Sequence, residues 1–305
     1  MKLIRPPRLY PGDPVAVVAA SGPVNQEKFS AGVEALGGRY DLIYDESSLF
    51  AKKGFLAGED AHRLEVLNTA IRDPECRAII LARGGYGLTR ILPGIDQAGL
   101  RVHPKVIVGY SDVTALLSMC YDARVASIHG PMVSDFGGLS DGDRDSLFNL
   151  LENSDPGEIF AGLETLVEGR ARGRLVGGNL EVLSRLLGTP FQPNFEGAVL
   201  FLEEVGEFPY RVDRLLTHLE MAGVFESVAG ILIGDFTDCD ELEEGVVQPP
   251  SINDVLLERL GRLEVPVALG GAFGHGDRKR SLPVGVPVEL DAGRGVLTAI
   301  EGAVS

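Results

Sequence analysis

Tryptophan is absent from these 305 residues, and cysteine and histidine are scarce, at three and five. Cys76, Cys120 and Cys239 lie far apart and are odd in number. They make neither a disulfide framework nor a CxxC metal site, which points to a reducing compartment. There is no HExxH, no histidine pair at helical spacing and no Cys/His cluster, so the common zinc-hydrolase patterns are excluded and no cofactor is called for. Walker A and GxGxxG phosphate loops are missing as well. Positive charge is short: 28 Lys and Arg against 44 Asp and Glu leave a formal charge of −16. Phosphate backbones and anionic bilayers repel such a chain, and no basic stripe with interleaved aromatics offsets this, so nucleic acid is not an expected partner. No run approaches the roughly 20 apolar residues that span a bilayer. The start, Met1-Lys2-Leu3-Ile4-Arg5-Pro6-Pro7, lacks the apolar stretch of a secretory signal. The expectation is a soluble cytoplasmic protein with no membrane partner.

What is abundant is glycine, 39 residues clustered in short groups between apolar runs. The length favours two domains over one. Val15 to Ala20 reads as a buried strand ending in Ser21-Gly22-Pro23, and a helix over residues 26 to 36 follows. A second helix runs from Asp60, with Leu64, Leu67 and Ile71 at helical spacing, to the stop at Asp73-Pro74. Arg77 to Ala82 and Val106 to Tyr110 are strands, the second followed by a helix from Val113 to Ala123. This alternation predicts an α/β fold, with a parallel-sheet, Rossmann- or flavodoxin-like N-terminal domain. The pattern loosens between residues 135 and 175. We therefore expect an N-terminal domain over 1–155, a junction over 156–175 and a smaller β-rich, barrel-like α+β domain over 176–305. In the second half Asn179 to Leu187 reads as a helix, Ala198 to Leu202 as a strand delivering Glu203, and a helix starts near Pro209. Residues 286 to 300 read as an antiparallel pair.

Ser111, in Gly109-Tyr110-Ser111-Asp112, stands between an apolar strand and a helix. That is where open α/β sheets bind ligands and where helix-start N–H groups suit an oxyanion. The segment keeps the first glycine of the G-x-S-x-G elbow and has Val113 in place of the second. Ser and Asp before a helix also serve as N-caps, and spacing leaves both roles open. Arg83-Gly84-Gly85-Tyr86-Gly87 follows another strand, and its glycines let a backbone approach a ligand and offer N–H groups, though a structural turn uses the same residues. Glu203 and Glu204 sit at a strand end, where alternation turns one of two neighbours inward. An inward carboxylate needs a partner. His275, in the glycine-rich stretch Gly270-Gly271-Ala272-Phe273-Gly274-His275-Gly276, is the histidine least suited to mere packing, though the residues alone leave a functional and a structural role both open. His62 and His218 fall in amphipathic helices and His103 in a polar loop, while His129, in His129-Gly130-Pro131-Met132, suits a hydrogen-bonded structural role or a place near a site.

Taken in order, Arg83–Gly87, Gly109–Asp112, Gly130-Pro131-Met132, Gly177-Gly178-Asn179-Leu180, Leu202-Glu203-Glu204 and Phe273-Gly274-His275 resemble the LD-carboxypeptidase family of serine peptidases, from about Val15 to Pro287. That family includes muramoyltetrapeptide carboxypeptidase and the microcin C immunity protein. The resemblance implies Ser111 as nucleophile, His275 as general base, Glu203 as the acid that orients it, and backbone N–H groups of Gly85 and Asp112 as the oxyanion hole. It further implies a triad drawn from both domains, a homodimer, and release of terminal D-alanine from muropeptide tetrapeptides during peptidoglycan recycling. Arg83, Gly84 and Tyr86 are candidate substrate-binding residues, Arg83 and more weakly Arg278 for the terminal carboxylate. Alternatives are hydrolysis of peptidyl or aminoacyl adenylates, and a non-catalytic binding protein. Some family members carry tryptophan before Gly-Gly-Asn where this chain has Val176, so adenine stacking would fall to Phe136, Tyr86 or Phe191. The short segment between Phe236 and Ser251 also resembles the recycling branch.

Overall fold

The computed structural model describes residues 2–240 and 250–305. Most of the segment between Phe236 and Ser251 therefore lies outside the described residues. Two compact units are present, one of Met1–Pro156, Lys279–Gly285 and Gly302–Ser305, the other of Gly157–Arg278 and Val286–Glu301.

The first unit is built on β1 (Pro14–Val18), β2 (Asp41–Ile43), β3 (Ala78–Leu81), β4 (Val106–Gly109) and β5 (Ser127–His129), all parallel. Their sequences are short and almost wholly apolar because the central strands are buried on both faces, as parallel sheets require. Val15 pairs with Ala78, Ile79 with Ile107 and Val108 with Ile128. A sixth strand, Leu282–Val284 (β12 in chain order), returns antiparallel to β5 and completes the order β2-β1-β3-β4-β5-β12. Apart from that added edge this is the flavodoxin-like order, whose switch point falls between β1 and β3. The helix Asp60–Arg72 buries Leu67, Ala70 and Ile71 and ends before Pro74, which disfavours helical geometry in the residue preceding it.

In the second unit the strands are β6 (Glu158–Ala161), β7 (Glu164–Val167), β8 (Arg170–Asn179), β9 (Val199–Val205), β10 (Gly230–Thr237), β11 (Val267–Leu269), β13 (Pro287–Asp291) and β14 (Val296–Ala299). They form one sheet in the order β6-β14-β13-β8-β9-β10-β11-β7. β8 to β11 are parallel neighbours and the flanking strands antiparallel. Laid flat, eight strands would spread about 33 Å. Yet the two edge strands, β6 and β7, are joined by only Gly162 and Leu163. The sheet therefore curls towards closure, which accounts for the barrel-like character read from the sequence.

Residues 156–175, expected as a junction, hold β6, β7 and the start of β8. Their exposed positions carry so many charged residues, in the pattern eBBe of Glu158-Ile159-Phe160-Ala161 for instance, that the apolar signal is weak. Helices also occupy Val133–Gly138 and Asp141–Glu152, where the pattern loosened. Among the described residues no helix is long and apolar enough to cross a membrane.

Candidate active site

In the first unit, three chain segments converge beyond the carboxyl ends of β1, β3 and β4. Ser111 follows β4 with φ of 62°, a left-handed conformation that costs a non-glycine residue about 1–3 kcal/mol. Its side chain caps neither the 3₁₀ turn Ser111–Val113 nor the helix Thr114–Asp122. The capping role left open by the sequence is thus vacant, and the strain has no purpose in helix initiation. The missing second glycine of the elbow is explained by the first. A β-carbon on Gly109 would lie 2.8 Å from Val113 Cγ1, so Val113 occupies the room that Gly109 leaves.

The glycine loop after β3 passes beside the hydroxyl. A β-carbon on Gly84 would stand 3.1 Å from Ser111 Oγ. Gly84 is held by the N–H of Gly22, which donates to its carbonyl over 3.0 Å. Gly85 follows at φ 113°, and its N–H meets no main-chain acceptor among the described residues. Arg83 does not point at Ser111; its Nη1 donates to the Pro23 carbonyl over 2.8 Å, tying the β3 loop to the β1 loop. Tyr86 is exposed.

Two buried polar side chains, Asp112 and Arg63, hold this loop. Asp112 turns its carboxylate away from the helix start and accepts from Leu88 N–H at 2.9 Å, so the segments carrying Asp112 and Gly85 are linked directly. Burial pushes the Asp112 carboxyl above its usual range, against the pull of its hydrogen bonds and of Arg63. The Arg63 guanidinium is fully buried; it donates to the carbonyls of Ala20 and Gly87 and pairs with Asp60 at 2.6 Å. Sequence reasoning passed over Arg63. The available signal was its position on the apolar stripe of its helix, four residues before Leu67 and eight before Ile71, where a cation has to have partners.

The second unit places Glu203 and His275 together. Glu203 is inside β9 and not past its end, paired across to Asn179 of β8, and is completely buried. Its Oε2 lies 2.7 Å from His275 Nδ1. Nδ1 bound to a carboxylate is the donor nitrogen, which leaves Nε2 as the basic one. The histidine loop is anchored by Phe273, whose buried ring meets Phe201 edge-on and Phe160 at centroid distances of 5.7 and 5.9 Å. Glycines at 234 and 271 admit that ring, since β-carbons there would fall within 2.4 Å of it. At the β9–β10 register shift, Asp235 N–H donates to the Phe273 carbonyl over 3.0 Å. Gly274, at φ 112°, then lets the loop press onto Glu203: its β-carbon would sit 2.8 Å from Oε2.

Glu204 is buried too, on the other face of the strand. Its carboxylate accepts from Asn179 Nδ2 at 2.8 Å and from the N–H groups of Glu181 and Val205 at 2.7 and 2.9 Å. Burial, helped by the charge on Glu203, pushes it up to about 7. Alternation was expected to bury one of the pair; the neighbouring strand β8 and the following helix bury both. His129 is buried with its ring 5.9 Å from that of Tyr110, a packing position. Phe136 is fully buried, so its ring is closed to a ligand.

Comparison with known proteins decides the family. Residues 15–130 match the LD-carboxypeptidase N-terminal domain and residues 172–290 the LD-carboxypeptidase C-terminal domain. This chain belongs to the LD-carboxypeptidase family. It is a serine-type carboxypeptidase. A Streptomyces coelicolor protein provisionally named a carboxypeptidase is 40% identical over 309 residues, covering 97% of this chain and 96% of its own. The murein tetrapeptide carboxypeptidase of Pseudomonas aeruginosa is 32% identical over 256 residues, with 80% and 82% covered. A solved microcin C7 self-immunity protein superposes with a TM-score of 0.88 over 99% of both chains at 24% identity, a likeness of fold alone.

Proposed function

We propose that this LD-carboxypeptidase hydrolyses the bond between the L-configured centre of a diamino acid and terminal D-alanine in muropeptide tetrapeptides, in peptidoglycan recycling. In this reading Ser111 Oγ attacks the carbonyl while His275 Nε2 takes its proton and Glu203 holds the imidazole. The oxyanion is received by the N–H groups of Gly85 and Asp112. His275 then protonates the departing amine of D-alanine, and a water activated by the same nitrogen opens the acyl-enzyme. Arg83 is assigned to the terminal carboxylate. The reading needs His275 of the second unit to reach Ser111 of the first. We further assign the protein to the cytoplasm, a reducing compartment that suits its three scattered cysteines, and, on the family resemblance, to a homodimer; light scattering tests the latter.

The observation that supports this most directly is the strained φ of Ser111 beside the glycine loop. Nothing in helix capping explains it, whereas a nucleophile elbow requires it. The murein tetrapeptide carboxypeptidase relative supports the substrate class. Ser111→Ala is expected to lower D-alanine release from muramoyl tetrapeptide by about 10⁴-fold or more. Undiminished release would remove the serine mechanism. Turnover of an aminoacyl-sulfamoyl adenylate in preference to the tetrapeptide would move the reading to the adenylate branch.

A further inference from the structure

Beyond the carboxyl ends of β1 and β3, at the switch point of the first sheet, lies an open cleft of about 540 Å³ lined by Gly22, Pro23, Phe55, Arg83, Gly85 and Tyr86. It adjoins the loop whose Gly84 borders the Ser111 hydroxyl. Two rings form its outer wall: Phe55 is 66% exposed, Tyr86 is 47% exposed, and their centroids are 5.7 Å apart. Large side chains are rarely left so open in contact with each other unless something else covers them.

Phe55 is not on a loose end. It tips a tight turn closed by reciprocal hydrogen bonds between Lys53 and Leu56 of 2.9 and 3.0 Å, with Gly54 at φ 60°. Leu56 is buried, and Ala57 N–H donates to the Ser21 carbonyl over 2.9 Å, which fastens the turn to the β1 loop. On the inner wall, Arg83 spends one donor on the Pro23 carbonyl. Among the described residues it has no ion pair, in a chain of formal charge −16. A guanidinium has five donors, so the wall is suited to a carboxylate.

The cleft is too large for the proposed leaving group. D-alanine would place its carboxylate on Arg83 and leave both rings bare, while a volume of this order holds an entire small ligand, the usual range being about 300–1,000 Å³. We propose that this cleft is a leaving-group subsite for D-amino acids with large apolar or aromatic side chains, the carboxylate on Arg83 and the side chain against Phe55 and Tyr86. The chemistry is the same hydrolysis: water is added across the L,D bond and the free D-amino acid departs. This assignment rests on the LD-carboxypeptidase reading and extends its substrate class.

The test is a series of tetrapeptides ending in D-alanine, D-methionine or D-phenylalanine, offered to the wild-type enzyme and to Phe55→Ala. The wild type is expected to release all three. In Phe55→Ala the ratio of kcat/KM for the D-phenylalanine peptide to that for the D-alanine peptide is expected to fall about tenfold, the size of one lost aromatic contact. A general loss of activity does not move that ratio. Arg83→Met is expected to raise KM for free acids more than for the corresponding terminal amides. Release of D-alanine alone by the wild type would overturn the subsite and leave the carboxypeptidase reading standing. So would a Phe55→Ala defect that follows the presence of the muramoyl sugar and ignores the terminal residue. Release from none of the peptides would remove the underlying reading, and the subsite with it.

Discussion

The two halves of the proposed machinery are positioned by different means. Around Ser111 the work is done by main chain: a strained residue, glycines with no side chain to obstruct, and loops tied carbonyl to N–H. Around His275 it is done by side chains: a buried carboxylate on a strand, and a phenylalanine sunk between glycines that carries the histidine loop. A backbone-built site is sensitive to an added carbon atom, and a side-chain-built site to an altered charge. Each can be broken in its own way.

Among changes to the supports, leaving Ser111 itself aside, the larger effect is expected on the side-chain half. Glu203→Gln keeps the volume but removes the negative charge beside Nδ1, and because Oε1 has no hydrogen-bond partner among the described residues nothing holds the amide with its oxygen, and not its NH2, towards the imidazole. kcat is expected to fall about 10²–10⁴-fold with KM little changed; a kcat within twofold of wild type would show that the pair is only structural. On the backbone half, Gly84→Ala adds one carbon 3.1 Å from the Ser111 hydroxyl. About 100-fold in kcat is expected, with an unaltered circular dichroism spectrum. If alanine at 84 is neutral, the glycine loop is not the wall of the site.

Two smaller effects separate the halves by stability. Glu204 titrates near 7 in the folded chain against 4.5 for an ordinary glutamate. Below about 4.5 it is protonated in both states and its burial costs nothing. Between 4.5 and 7 the native chain holds a proton that the unfolded chain has lost, so stability falls as pH rises, by on the order of 3 kcal/mol across the window. Urea denaturation of Glu204→Gln across this range is expected to show a flatter dependence; an unchanged slope would mean that the three N–H donors keep Glu204 ionised. Last, Ser111→Gly relieves the left-handed φ and is expected to raise the unfolding free energy by about 1 kcal/mol while abolishing turnover. A destabilised glycine variant would show that φ carries no strain.

The same difference explains what the sequence made legible. Short apolar strands and glycine groups are local patterns, so the parallel sheet and the turns that follow its strands could be read from spacing, though not the roles of Ser111 and of the glycine loop, and the helix starting at Pro209 buries Val212, Leu215, Leu216 and Leu219 as its period predicts. The acid–histidine pair spans 72 positions, and nothing local joins Glu203 to His275; only the family resemblance did. Arg63 and the Glu204 cage were hidden for a related reason, since a charge is read as exposed until its partners are known. The strands of 158–167 escaped because an edge strand with outward charges has little apolar signal.

The return of β12 and of residues 302–305 to the first unit has a consequence for biosynthesis. As the chain leaves the ribosome from its N-terminus, β5 waits with an unpaired edge until Leu282–Val284 emerges. The hydrogen bonds of Ser305 with Pro6 and Arg8 close later still. The unit that carries Ser111 therefore cannot finish folding ahead of the unit that carries His275, and it spends most of translation as an incomplete sheet in need of protection from its neighbours.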